Sequence, residues 1–187
     1  VLETHHCSVA INIITKDECN LFSSLSSSEN KNMWTLIIML ILATDMAKHF
    51  DLLKNFNTIF DAGDFSLQDQ NHRHMLLKLL LKGSDISNVA RPFELADKWC
   101  DVLCEEFFRQ GELEKAQGME FTSPNNDREH LDKPKSQIGF YQFVCLPLFE
   151  AISKAVPKLK CNVEQLLMNL EKWKEAKNNE LHKGDDK

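Results

Sequence analysis

The spacing of apolar residues is the feature that most restricts the fold of this chain. They recur at intervals of three and four along most of its 187 residues, and no segment shows the convincing alternation of a half-buried strand. The pattern predicts helices over residues 1–14, 29–57, 67–82, 92–110, 135–153 and 162–178, with a kink or break near Pro147. We therefore expect a compact, all-α, multi-helix domain, and a chain of this length can bury a sizeable core.

Polar segments separate the predicted helices. Residues 26–28 are serines that can act as N-caps, Gly63 marks a turn, and Gly83 is expected to end a helix. The longest polar segment, residues 121–134, has the length of a lid or binding loop. Residues 181–187 are expected to form a polar tail.

Charge and cysteine content bear on the class of partner and on the compartment. The chain has 22 Lys and Arg against 28 Asp and Glu, a net charge of −6, which disfavours a nucleic-acid polymer because such binding depends on cations that neutralise phosphates. None of the six cysteines lies in a CxxC motif, which favours a reduced, cytoplasmic protein, although their even number leaves disulfides open. The longest apolar run, residues 33–43, is about half of the ~20 residues that a transmembrane helix needs. Membrane association through regions outside this chain stays open.

Two pairs combine a carboxylate with an imidazole. Glu3 and His6 share a helix face, where they could orient water or support metal ligands, or could simply form a polar helix start. Asp45 and His49 stand four residues apart and could bind a metal, although an ion pair on a helix surface is the commoner role of this spacing. Spacing alone leaves both pairs open.

Asp85 follows the almost entirely apolar stretch HMLLKLLL, residues 74–81. A carboxylate beside such a buried helix is costly unless a cation or hydrogen-bond donors pair with it. Asp85 is therefore either a metal ligand or the cap of the next helix. Asn88, three residues further on, can face the same cavity.

Gln137 and Phe140 project from one helix face. An amide can offer a donor and an acceptor side by side to a planar heterocycle, and a phenyl ring can stack on it. Leu103 and Phe107 form an apolar pair on the preceding helix that could close the other side. Ordinary core packing is the alternative, above all for Leu103 and Phe107.

Five segments together resemble the C-terminal part of the catalytic domain of class I 3′,5′-cyclic-nucleotide phosphodiesterases. They are VLETHH, LILATDMAKH, SDISNVARP, EEFFRQGELEKAQG and QIGF, in that order, and the likeness covers roughly residues 1–155. QIGF and ATDMAKH look closest to the cGMP-preferring and protozoan-like branches. The resemblance implies an all-helical domain of the HD type, of which residues 1–180 are the C-terminal portion.

The resemblance also implies an activity, which is the metal-dependent hydrolysis of cAMP, cGMP or both to 5′-monophosphates in signal termination. In that family two metals, usually zinc and magnesium (or manganese), activate a hydroxide that attacks the cyclic phosphate. A cyclic nucleotide is the implied ligand, and a homodimer is a possible assembly.

The resemblance implies a role for each residue of this chain that matches a functional position of the family. Asp85 matches the zinc-ligand aspartate, and Glu3 and Thr44 match positions that hold metal-bound waters, which His6 can support. The positions that match the base pocket are Gln137 at the purine edge, Phe140 and Leu103 on its two sides, Phe107 and Asn88 in its lining, and Met46 near the metal end. Thr4 departs from the family, which usually has Asn there.

The sequence lacks the H-N-x-x-H motif and the H-D pair that supply the family's remaining metal ligands and its general-acid histidine. Asp85 alone would hold zinc very weakly, because closed zinc sites need three or four protein ligands. We therefore expect a piece of a larger catalytic domain, incomplete at its N-terminus and with little or no activity by itself. One alternative is a degenerate, non-catalytic domain that binds a nucleotide or a protein partner. Another is a helical scaffold in which Gln137 and Phe140 are only core.

Overall fold

The structure, a computed structural model, describes the backbone of residues 1–185 and the side chains of residues 1–179. The chain is 79% helical, and the described residues contain no strand, so the predicted all-α class is confirmed. The α-helices are α1 (Leu2–Ile14), α2 (Ser27–Leu42), α3 (His49–Asp61), α4 (Gln70–Asp85), α5 (Phe93–Ala116), α6 (Lys133–Phe140), α7 (Leu146–Ala155) and α8 (Lys160–Asp185).

The end of the chain is described only in part. The backbone of residues 181–185 belongs to α8, and residues 186–187 of the predicted polar tail lie outside the described residues. None of the helices in the described part of the chain has the length and apolarity needed to cross a bilayer. All six cysteines are free thiols.

The chain divides into two compact units, residues 1–85 and residues 86–187. In the first unit α2 packs against α1 and α4, and α3 packs against α4. The Ser26 side chain is the N-cap of α2, as the serine run predicted. It also forms a reciprocal capping box with Glu29. Phe56 is fully buried, and its ring lies 5.4 Å from the rings of both Phe60 and Phe65.

The prediction of one helix over residues 29–57 is wrong, because the chain breaks between α2 and α3. The Thr44 hydroxyl donates to the carbonyl oxygen of Ile41 at 2.7 Å, and the Asp45 Oδ1 accepts from the backbone N–H of Ala47 at 2.9 Å. These side-chain bonds compete with the helical backbone ladder. They stabilise a 3₁₀ turn, Met46–Lys48, in place of a continuous helix.

Gly83 does not end its helix as predicted. Helix α4 starts after Asp69, whose Oδ1 accepts from the N–H groups of Asn71 and His72, and it runs through the buried Gly83 to Asp85. A glycine ends a helix by adopting a positive φ, and Gly83 does not do so, whereas Gly63 at the predicted turn has φ of +80°.

In the second unit α8 packs against α6, α7 and the 3₁₀ turn Ser87–Ala90. The core residues include Val89, Cys100, Tyr141, Cys145, Phe149, Leu166 and Trp173. The break predicted near Pro147 is a π-helical segment, Tyr141–Cys145, between α6 and α7. Proline has no N–H to donate and its ring crowds the preceding turn, which explains a widened turn at this place.

Candidate functional site

The residues predicted for the metal end lie in the first unit, and those predicted for the base pocket lie in the second. The first set is Glu3, His6, Thr44, Met46 and Asp85, and the second set is Asn88, Leu103, Phe107, Gln137 and Phe140.

A buried lysine joins the metal-end residues, which the sequence did not predict. Lys82 is only 3% exposed, and its Nζ donates to the carbonyl oxygens of Thr44 at 3.2 Å and Asp45 at 3.3 Å. Burial lowers the pKa of Lys82, while the charges of Asp85, Asp45 and Glu3 act in the opposite direction. The lysine ammonium therefore offsets the negative charge of this acidic cluster. Its only sequence signal is a charged residue directly after a leucine run.

Asp45 and His49 form neither a metal-binding pair nor a surface ion pair in this structure. Asp45 caps the 3₁₀ turn, and His49 is fully buried, with no hydrogen-bond partner for either ring nitrogen among the described residues. Burial, followed by the charge of Lys82, lowers the pKa of His49 to about 4. The imidazole is therefore neutral at neutral pH.

Asp85 has no further metal ligands beside it among the described residues. In the range whose side chains are described, no cluster of three or more His, Cys, Asp or Glu residues could hold a metal ion. Asp85 and His6 are exposed, and Asp85 is one of three carboxylates, with Asp45 and Glu3, whose charges raise the pKa of Lys82. The residues described here do not fit a zinc or magnesium site by themselves.

Helices α5 and α6 carry the residues predicted to bind the base. Gln137 is half-buried, and its side-chain amide has no hydrogen bond to any described residue. Phe140, one turn further along α6, packs partly against the core of the second unit and borders a cleft of about 520 Å³. Leu103 and Phe107 on α5 are each 37% exposed. An unpaired amide and a phenyl ring on one helix face keep the capacity to bind a planar heterocycle.

Two buried side chains hold the turn that carries Asn88, the 3₁₀ turn Ser87–Ala90. The Nδ2 of Asn169 donates to the carbonyl oxygens of Val89 at 2.9 Å and Arg91 at 2.8 Å. The hydroxyl of Tyr141 donates to the same Val89 oxygen at 3.1 Å. The sequence signal for this anchor was an asparagine on the apolar face of α8, and it was missed.

A buried carboxylate anchors the loop that follows α5. Glu114 is 7% exposed and accepts hydrogen bonds from the Thr122 N–H and hydroxyl, from Gln110 and from Asn126, at 2.6–3.1 Å. These bonds, led by that from the Thr122 hydroxyl, lower the pKa of Glu114 to about 2. Gly111 allows the backbone of Asn126 to pack closely against α5, because a Cβ at Gly111 would lie 2.1 Å from the Asn126 carbonyl oxygen. The start of the predicted binding loop is therefore fixed to α5.

Comparison with known proteins gives the family. The family model of 3′5′-cyclic nucleotide phosphodiesterases matches residues 1–166. The high affinity cGMP-specific 3′,5′-cyclic phosphodiesterase 9A of Homo sapiens is 40% identical over 159 residues, which cover 85% of this chain and 26% of that protein. The protein of the same name from Drosophila melanogaster is 43% identical over 158 residues, covering 84% of this chain and 10% of that protein.

Two further comparisons agree. The cGMP-specific 3′,5′-cGMP phosphodiesterase 3 of Dictyostelium discoideum is 37% identical over 174 residues, covering 92% of this chain and 37% of that protein. The solved structure of LmjPDEB1 in complex with IBMX matches with a TM-score of 0.88 and 36% identity, covering 95% of this chain and 53% of that chain. This chain therefore spans between 10% and 37% of the length of these three curated relatives. Because the family model matches most of its residues, the chain belongs to the 3′,5′-cyclic nucleotide phosphodiesterase family.

Proposed function

We propose that this chain takes part in the hydrolysis of 3′,5′-cyclic nucleotides, cGMP or cAMP, to 5′-monophosphates, as the part of a catalytic domain that binds the base. The family match over residues 1–166, which includes Gln137 and Phe140, carries the proposal. The names of the relatives, which specify cGMP, favour cGMP as the first substrate to test.

Gln137 and Phe140 perform the base recognition in this proposal. The unpaired Gln137 amide donates one hydrogen bond to the purine edge and accepts another, and the Phe140 ring stacks on the purine. Leu103 contacts the opposite side of the base, while Phe107 and Asn88 line the pocket. Met46 lies towards the metal end, where its 44% exposed side chain can contact a ligand.

We also propose that hydrolysis depends on Zn²⁺ and on Mg²⁺ or Mn²⁺, with Asp85 as this chain's own metal ligand and with Glu3 and Thr44 holding metal-bound waters. Family membership supports this proposal, although the described residues do not supply the other ligands. A cytoplasmic location and a homodimer are further proposals; the free thiols support the first.

A turnover assay of the full-length parent protein with cAMP and cGMP, with and without a chelator, tests the activity. We expect chelator-sensitive hydrolysis of at least one nucleotide, and its complete absence would overturn the proposal. The 187 residues alone should show little or no turnover, because Asp85 has no companion ligands. Normal turnover by this chain alone would contradict that account of the metal site.

Substitution of Gln137 tests the base-binding role. Gln137→Ala should weaken binding of cyclic nucleotide by roughly 10-fold or more, since lost pairing with a buried polar group costs about 1–3 kcal/mol. Gln142→Ala is the matched control, because Gln142 is an exposed glutamine five residues further on. Equal binding by both variants in equilibrium dialysis would favour a scaffold in which Gln137 is only part of the helix surface.

A non-catalytic nucleotide-binding domain is the second candidate function. The lack of a three-ligand metal cluster among residues 1–179 favours it for this chain taken alone. Nucleotide binding by the parent protein without any turnover would identify this candidate.

A further inference from the structure

Two thiols on α5 touch each other. Cys100 and Cys104 are one helical turn apart, and their Sγ atoms are separated by 3.8 Å. Cys100 is 4% exposed and Cys104 is half-buried. No other pair of cysteine sulfurs within residues 1–179 comes as close as this contact. We propose that this pair is a chelating dithiol site for one thiophilic centre of the class of trivalent organoarsenicals.

The chemical state of Cys100 argues against rapid oxidation. Burial, followed by the neighbouring thiol of Cys104, raises the pKa of Cys100 to about 12, although the nearby Lys133 ammonium acts in the opposite direction. The Lys133 Nζ is held beside this helix by the carboxylates of Asp97, at 2.6 Å, and Asp101. Since the thiolate is the nucleophile in thiol–disulfide exchange, a thiol that stays protonated attacks slowly.

Helix geometry also favours chelation over a disulfide. Cβ atoms four residues apart on a helix are about 5–6 Å apart, whereas a disulfide brings its two Cβ atoms to roughly 3.5–4.5 Å. A disulfide would therefore distort this turn of α5. A third atom placed between the sulfurs spans their separation without such a shift.

The binding reaction needs no oxidant or reductant. An organoarsenic(III) oxide forms two As–S bonds with the two thiols and loses its As–O bonding, and the oxygen leaves as water with both thiol protons. Arsenic and sulfur keep their oxidation states. Soft thiol sulfur is the donor that such a centre prefers. The half-buried Cys104, next to the 37% exposed Leu103, provides the side of entry.

Titration of the 187-residue chain with phenylarsine oxide tests the site. We expect one equivalent bound with the loss of two reactive thiols, seen as one adduct in native mass spectrometry. Dithiothreitol should remove the adduct, whereas 2-mercaptoethanol at the same thiol concentration should not, because a chelate gains from effective concentration. Cys104→Ser and Cys100→Ser should each bind at least about 100-fold more weakly.

Cys161→Ser is the control, because Cys161 is an exposed cysteine on another helix and should not affect binding. Circular dichroism of Cys104→Ser, at the less buried position, shows whether the variant keeps its helices; weakened binding by a folded variant supports the site. Unchanged stoichiometry and affinity in Cys104→Ser would overturn the proposal. The test involves no nucleotide, so its result is independent of the proposed function.

Discussion

At the scale of single residues, His49 shows how burial, followed by a nearby positive charge, sets the pKa of a side chain. Its ring is fully buried beside Phe50, with ring centroids 5.0 Å apart, and neither nitrogen has a partner among the described residues. A charged imidazole there would lose its hydration without gaining a hydrogen bond. Burial consequently holds the pKa of His49 at about 4 instead of 6.5.

This shift makes folding stability depend on pH. Between pH 6.5 and about 4 the unfolded chain binds a proton at His49 that the folded chain does not, so stability falls as the pH drops through this window. The full effect is on the order of 3 kcal/mol. His49→Phe should remove this component, and urea unfolding of both proteins at several pH values between 7.5 and 4 measures the difference. His5→Phe, at an exposed position, is the control; identical pH slopes for wild type and His49→Phe would contradict the prediction.

Gly111 and Gly139 make a matched pair for testing close packing. A Cβ at Gly111 would lie 2.1 Å from the Asn126 carbonyl oxygen, whereas a Cβ at Gly139 would have nothing within 4 Å. Gly111→Ala should therefore destabilise by about 1–3 kcal/mol, as overpacking does. Gly139→Ala, inside α6, should stabilise by roughly 0.5–1 kcal/mol, because glycine costs entropy in a helix. Denaturant midpoints of the two variants check both signs.

At the scale of elements, Lys82 ties α4 to the connection between α2 and α3. Lys82→Met should destabilise by about 1–3 kcal/mol, because the carbonyl groups of Thr44 and Asp45 lose a donor while the nearby carboxylates lose their counter-charge. Lys78→Met, one turn earlier on α4, is the control and should have a smaller effect. Equal losses of unfolding free energy in the two variants would contradict the prediction that the hydrogen bonds and charge of Lys82 stabilise the fold more than Lys78 does.

The loop after α5 depends on Glu114 in a comparable way. Glu114→Gln places an N–H₂ group among donors that need an acceptor, so residues 117–126 should exchange their amide hydrogens faster. In the wild type the carboxylate binds no proton at neutral pH. The contribution of the Glu114 carboxylate to folding stability is lost as the pH falls from about 4.5 towards 2, since its pKa in the folded chain is about 2. Hydrogen exchange followed by mass spectrometry measures the loop, and Glu120→Gln, exposed in the same loop, is the control that should leave exchange unchanged.

At the scale of the whole molecule, the structure has the predicted all-α fold class but differs from the prediction at two helix boundaries. The six predicted helical segments overlap the eight α-helices of the described residues, because the position of apolar residues along one helix depends only on the local sequence. The periodicity failed at Thr44 and Asp45, where side chains bond to nearby backbone and interrupt a run that looked continuous. The expectation that Gly83 ends α4, which rested on the capping role of glycine, also failed, because Gly83 is buried inside the helix without a positive φ.

In the candidate site, too, some features followed from the sequence and others depended on tertiary contacts. The sequence placed Gln137 and Phe140 on one helix face and, through the family resemblance, assigned roles to Asp85, Thr44 and Leu103. It could not indicate that Lys82 lies among the acidic residues, or that Asn169 and Glu114 act as anchors. Lys82 and Asn169 depend on partners that are distant in sequence, 37 and 38 residues away for Lys82 and 80 residues away for the Asn169–Val89 bond. The partners of Glu114 lie within 12 residues, but they come together only through the fold of the loop after α5.

The sequence by itself determined the all-α class, the positions of the helices and membership of the cyclic-nucleotide phosphodiesterase family, since helical periodicity and short motifs are local properties of the chain. Only the tertiary structure decided where the long helix breaks and which polar groups are buried with partners. It also decided which thiols touch and that no cluster of three metal-ligating side chains forms among residues 1–179. The physical reason is that burial and pairing are set by side chains brought together from distant parts of the chain, and spacing along one helix carries no information about them.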